Sequence, residues 1–393
     1  MSKPRQGAPR LAQRAKEIQP FHVMEILARA RDLEAQGRDI VHMEIGEPDF
    51  PTPEPIRRAG IAALEKGELF YTPALGLPEL RRGIADFYRQ RYGVVVSPAR
   101  IIITTGASGA LMLACAALVE IGEEVILADP GYPANRQFVR VMGGVPRAVP
   151  VDASSAYQLA PDHLERAWGE RTAAALVASP SNPTGTLVSA ERLAAMAQIA
   201  RARGGTLIVD EIYHGLVYEG DARTVLALAD DVLVINSFSK YFNMTGWRLG
   251  WMVVPESYIA SIDRLSQNLY LAAPTTAQYA GLAAFLPETL AILDERVREF
   301  KARRDYLLPE LRRLGFDIPV TPQGAFYIYA GCSKHTDDSF AFARDLLDHA
   351  GVAIAPGDDF GANEPHKYVR FAYTNSMERL KEGVHRIARF LRQ

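Results

Sequence analysis

Residues 206–213 read Thr-Leu-Ile-Val-Asp-Glu-Ile-Tyr, and residues 232–240 read Val-Leu-Val-Ile-Asn-Ser-Phe-Ser-Lys. Each opens on a continuous apolar run too short for a helix and closes on a polar residue able to do chemistry. Such runs predict strands buried on both faces. The same pattern returns at Ile101–Ile103, Glu124–Ala128 and Ala173–Ala178, and helical periodicity fills the intervals, for example from about Ser108. Repeated strand-then-helix alternation predicts an α/β fold, a mainly parallel sheet covered by helices on both faces.

Outward from this block the pattern changes. Val23, Ile26, Leu27, Ala30 and Leu33 fall at helical spacing, with Gly37 placed to stop that helix. A connector follows, rich in proline (Pro48, Pro51, Pro53, Pro55). From residue 288, Leu293, Val297, Phe300, Leu307 and Leu311 predict a long amphipathic helix with a break near Pro309. The remainder mixes short strands and helices. The expected division is an N-terminal arm and helix over 1–50, a large unit over 51–287, and a C-terminal unit over 288–393 that forms a smaller α+β domain with the first.

The chain has 393 residues, 48% of them apolar and 23% charged, with a net charge of −2, so it has neither a disordered composition nor the basic footprint of a nucleic-acid binder. Cys115 and Cys332 match no redox or metal-ligand spacing, and the eight histidines show no paired spacing. No metal is expected, and a reducing cytoplasm fits. The arm MSKPRQGAPRLAQRAKE has no apolar run after its basic residues, which argues against a secretory signal. Uncharged runs at 101–119 and 265–287 contain too many polar residues to read as membrane spans.

Ligands of a doubly wound sheet bind beyond the carboxyl ends of its strands. Asn182, Asp210, Lys240 and the Gly106-Ala107-Ser108 turn all sit at such ends. Alone, each has an ordinary reading; an acid at a strand end commonly caps the next helix. Gly106-Ala107-Ser108-Gly109-Ala110 misses the G-x-S-x-G nucleophile elbow at its last position and matches neither a Walker loop nor G-x-G-x-x-G. Eight of the 44 basic residues are lysine, and Lys240 is the only one between Gly67 and Phe300.

Taken in order, Ser181-Asn182-Pro183-Thr184-Gly185, Asp210-Glu211-Ile212-Tyr213 and the segment from Ser237 to Gly250 (SFSKYFNMTGWRLG) resemble the class I/II aminotransferases. These are pyridoxal 5′-phosphate (PLP) enzymes of fold type I, the aspartate aminotransferase superfamily. Gly46-Glu47-Pro48-Asp49-Phe50 and Arg370-Phe371-Ala372-Tyr373 extend the resemblance over nearly the whole chain. It implies a seven-stranded sheet in the large domain and PLP as cofactor.

PLP chemistry needs an amine to form a Schiff base with the cofactor aldehyde, and Lys240 stands where the resemblance requires it. A carboxylate beside the pyridine nitrogen favours its protonated form, a role for Asp210. Asn182 and Tyr213 would donate to the ring's phenolic oxygen. Arg248, Ser237 and the helix opening at Gly106, Ala107 and Ser108 would hold the phosphate. The resemblance further implies that Tyr132 stacks on the ring and that Tyr71 reaches the phosphate of a second subunit, so that the unit is a homodimer. Arg370 would take the substrate α-carboxylate as a two-donor fork, with Gly46 in close backbone contact and Asn182 beside it.

The activity so implied is transfer of an amino group between an L-amino acid and a 2-oxo acid, 2-oxoglutarate/glutamate being one pair, by a ping-pong cycle. The alternative within the same fold is a C–S lyase or another β-eliminating enzyme. A PLP-binding regulator would need a DNA-binding domain, and only about 50 residues precede the large unit. No basic residue lies in the Gly106–Ser108 turn, and no arginine or lysine from Leu265 to Glu295, which favours neutral donors over aspartate.

Overall fold

The computed structural model describes residues 11–220 and 222–392; positions 1–10 of the basic arm lie outside them. Among the described residues the strands are β1 (Val41–Met43), β2 (Ile101–Thr104), β3 (Glu124–Asp129), β4 (Val145–Pro150), β5 (Thr172–Ala178), β6 (Thr206–Asp210), β7 (Leu233–Ser237), β8 (Gly250–Val253), β9 (Tyr327–Gly331), β10 (Val352–Pro356) and β11 (Tyr368–Ala372). Strands β2 to β8 form a seven-stranded sheet in the order β2-β8-β7-β6-β5-β3-β4. Its pairs are parallel except the two made by β8.

Alternate side chains of these strands feed two cores. Leu207 and Val209 join Ile103, Val177 and Trp251 on one face. Ile208 joins Ile102, Leu176, Ile235 and Met252 on the other, with Leu111 and Leu113 of the helix Gly106–Leu118. Both faces are dry, and so the run at 207–209 is apolar throughout.

A second, four-stranded sheet has the order β1-β10-β11-β9, so it joins a strand from near the N-terminus to three from the C-terminal part. The helix His22–Ala35 packs against β10 through a stripe that buries Ile26, Ala30 and Leu33, and Gly37 follows it at φ 85°. The helix Pro287–Arg313 runs through Pro309 without the expected break. Proline there removes one backbone bond near the helix end, and the buried Leu307, Leu308 and Leu311 hold the last turns in place.

Register places the site. Ala178, Asp210 and Ile235 lie side by side at the carboxyl ends of β5, β6 and β7. Antiparallel β8 sets its first residue, Gly250, opposite both Ser237 and Thr104. The chain just before β8 therefore returns Arg248 to the same edge, beside the turn at Gly106. Arg370 on β11 faces the site from the smaller sheet, paired with Tyr329 of β9 and Ala355 of β10.

Candidate active site

These strand ends enclose a cavity of about 450 Å³. Of the residues singled out from sequence, Gly46, Ala107, Ser108, Tyr132, Asn182, Asp210, Tyr213, Lys240, Arg248 and Arg370 line it. Gly106 stands directly behind the wall. Its φ is 71°, a left-handed conformation that glycine adopts without strain, and a Cβ there would lie 2.7 Å from Arg248 Nη2, so a side chain would be strained and would push the guanidinium aside. Ser237 is not on the wall. Its hydroxyl oxygen lies 3.1 Å from Leu249 O and 3.0 Å from Ser239 Oγ, within hydrogen-bond reach of both, and Ser239 lines the cavity instead. Tyr71 is 84% exposed and away from the cavity.

Lys240 is fixed by its neighbours. Phe238 and Phe242 are buried against Trp251 and each other, which anchors the backbone on both sides of the lysine. Its Nζ donates to Gly46 O at 2.6 Å and lies 5.8 Å from the Tyr213 ring centre. Desolvation lowers the amine's pKa to about 8, against the opposing pull of Glu47 and with help from Arg370 and Arg248. About a tenth of the amine is then neutral at pH 7, far more than for a free lysine, and the neutral form is the one a nucleophile or base requires.

Asp210 is buried and accepts one backbone bond, from Ile212 N (3.0 Å). Burial raises its pKa to about 7. A carboxyl so desolvated would be drawn to ionise by a basic ring nitrogen beside it. Arg370, also buried, donates to Asn182 Oδ1 (2.9 Å) and to Glu44 O, and its guanidinium lies over Tyr327 and Phe360 at 4.4 and 4.9 Å from the ring centres. Its Nε is buried without a partner. Arg248 Nη1 donates to Thr245 O at 2.7 Å.

The donor set fits PLP: a helix N-terminus with an arginine at one end, a buried carboxyl at another, and an amine of lowered pKa between them.

Sequence reasoning missed Glu44, Ser239, Tyr327 and Phe360 on this wall, together with Phe21 and Val23. Tyr327 falls in an apolar C-terminal run whose local pattern says only that it is buried, and Phe360 follows the polar turn Gly357-Asp358-Asp359, where nothing local points to a site.

The family model for aminotransferase class I and II matches residues 38–387. The chain belongs to the class I and II aminotransferases. PLP is the cofactor of this family and of this aminotransferase. It is similar to a valine–pyruvate aminotransferase of Mycobacterium tuberculosis, 40% identical over 95% of this chain and 97% of that protein. A (5-formylfuran-3-yl)methyl phosphate transaminase of Methanocaldococcus jannaschii is 37% identical over 97% of this chain and 99% of its own length. Among solved structures, an aminotransferase from Mycobacterium tuberculosis superposes with a TM-score of 0.94 at 39% identity, over 98% of this chain and all of that one. The seven-stranded sheet and smaller second sheet are thus the fold type I architecture expected from the sequence.

Proposed function

We propose that this aminotransferase moves the amino group of a neutral L-amino acid to a 2-oxo acid in a ping-pong cycle. The carrying observation is the charge on the cavity wall. Among the described residues its cationic side chains are Lys240, Arg248 and Arg370, while Phe21, Val23, Ile45 and Phe360 supply apolar surface and Glu44, Glu47 and Asp359 carry acid. In the proposed roles each cation is committed, and among the described residues the wall offers no fourth for a distal carboxylate.

PLP supplies, when bound, an aldehyde that condenses with amines and a ring that withdraws electrons from the substrate α-carbon. Arg248 and the amides at Ala107 and Ser108, with Gly106 behind them, would hold its phosphate, as would Ser237 acting through Ser239. Asp210 would pair with the ring nitrogen, Asn182 and Tyr213 with the ring oxygen, and Tyr132 with the ring face. Arg370 grips the substrate α-carboxylate, and Lys240 moves the α-proton as general base and then acid.

One acceptor is 2-oxoglutarate; the lack of a fourth cation among the described wall residues and the valine–pyruvate relative favour pyruvate as a second acceptor. A panel of donors assayed with each acceptor tests this. Neutral aliphatic or aromatic donors are expected to exceed aspartate in kcat/KM by at least about tenfold, the worth of one unpaired carboxylate. Faster aspartate turnover overturns the donor class, and release of ammonia and pyruvate without an acceptor would instead establish the lyase reading.

The proposed assembly is a homodimer in the cytoplasm, with 51–287 as the cofactor-binding unit and 1–50 with 288–393 as the smaller one. Phe70 and Tyr71 protrude at 77% and 84% exposure, as free apolar groups meant for a partner do. Light scattering at assay concentration should give twice the chain mass.

Asp210 yields a pH prediction for the protein stripped of cofactor. Its folded pKa of about 7 exceeds the ordinary 3.8, so the folded state binds the extra proton between these values and stability falls as pH rises through that window. The loss is on the order of 4 kcal/mol. Asp210→Asn should flatten that part of the stability curve while slowing α-proton abstraction in the holoenzyme by about 100-fold or more. Near-normal abstraction would assign the ring nitrogen to another group.

A further inference from the structure

Tyr327 stands between the two halves of the site, and neither half explains its hydroxyl. Its Oη lies 2.8 Å from Tyr213 Oη, with both side chains buried and the rings edge to face at 5.7 Å. Its ring lies under the Arg370 guanidinium. The hydroxyl's position also accounts for Gly46, because a Cβ at residue 46 would sit 1.8 Å from Tyr327 Oη. Other polar or charged groups near the pair are Tyr132, Arg370 and Lys240.

A phenol has one proton to donate. If Tyr213 gives its proton to the cofactor ring oxygen, the bond between the two tyrosines must run from Tyr327 to Tyr213. We propose that Tyr327 is a positioning residue with two separable jobs: its hydroxyl turns the Tyr213 proton towards the cofactor and strengthens it as a donor, and its ring supports Arg370 against the substrate carboxylate. Cooperative polarisation along a buried hydrogen-bonded chain supports the first job, and a desolvated cation over an aromatic face supports the second. The first job rests on the reading of Tyr213 given above.

The test uses the holoenzyme without substrate and follows the pH midpoint of the bound cofactor's visible absorbance. A donor on the ring oxygen stabilises its negative charge and lowers that midpoint, so weakening the donor raises it. Tyr213→Phe should raise the midpoint by about one unit, and Tyr327→Phe by about half a unit, with no added shift in the double variant. Tyr327→Phe keeps the aromatic shelf, so the KM for the amino donor should stay within about twofold. Tyr327→Leu should show the same midpoint and a KM raised about 5- to 30-fold. Gly46→Ala, which leaves the tyrosine but displaces its hydroxyl, should reproduce the half-unit shift and serves if Tyr327→Phe does not fold.

A shift in Tyr213→Phe with none in Tyr327→Phe or Gly46→Ala overturns the role of Tyr327 and leaves that of Tyr213 standing. No shift in Tyr213→Phe removes both. A Tyr327→Phe shift that persists undiminished in the double variant shows that the hydroxyl does not act through Tyr213, and an unchanged KM in Tyr327→Leu removes the shelf.

Discussion

Lys240→Ala is expected to reduce turnover by at least about 10⁴-fold, because one substitution removes both the amine that bonds to the cofactor and the base that moves the α-proton. Cofactor binding should persist in part. The proposed phosphate and ring contacts, at Arg248, Asp210, Asn182 and the Gly106–Ser108 helix start, belong to other elements. Borohydride reduction of the wild-type holoenzyme followed by peptide mapping should mark Lys240. The nearest lysines on either side in sequence are Lys66 and Lys301; the first is exposed and paired with Glu68, the second half-buried and paired with Asp305, and neither lines the cavity. A label on either would overturn the assignment.

The second large effect falls on Arg370, whose proposed partner is the α-carboxylate carried by every amino acid and 2-oxo acid in the cycle. Both half-reactions should suffer together in Arg370→Ala. Loss of a bidentate, charge-assisted pair in a desolvated site costs about 2–5 kcal/mol, which is roughly 30- to 5,000-fold in kcat/KM. Arg370→Lys should recover only part of this, since an ammonium presents no planar fork and stacks less well on Tyr327 and Phe360. Amines without a carboxylate should react slowly with the wild type and be indifferent to the substitution. If they lose as much as alanine or valine does, Arg370 supports the structure and another group reads the carboxylate.

Much of this site was legible in the chain because its chemistry sits where a local pattern ends. Asp210 follows an apolar run, Lys240 follows another, and the Gly106–Ser108 turn links a strand to its helix; parallel strands with matched registers then bring such ends to one edge. Strands β4 and β8 were less legible. Strand β4 carries Pro146 and Pro150, which suit an edge position but erase the usual signal. Strand β8 is four residues long, and nothing local says that it runs antiparallel.

What the sequence determined by itself was the alternation of strands and helices in the large unit, because backbone periodicity is a local property; the amine, the acid and the two arginines were marked by the order of motifs that resemble the class I/II aminotransferases. What only the tertiary structure decided was which groups meet: Arg248 beside Gly106 through the reversed β8, Ser239 rather than Ser237 on the wall, and Tyr327 against Gly46, Tyr213 and Arg370. Those partners are separated by between 43 and 281 positions in the Tyr327 case. Closing such loops is repaid by packing of the whole sheet pair and not by any nearby residue, so no window of sequence records it.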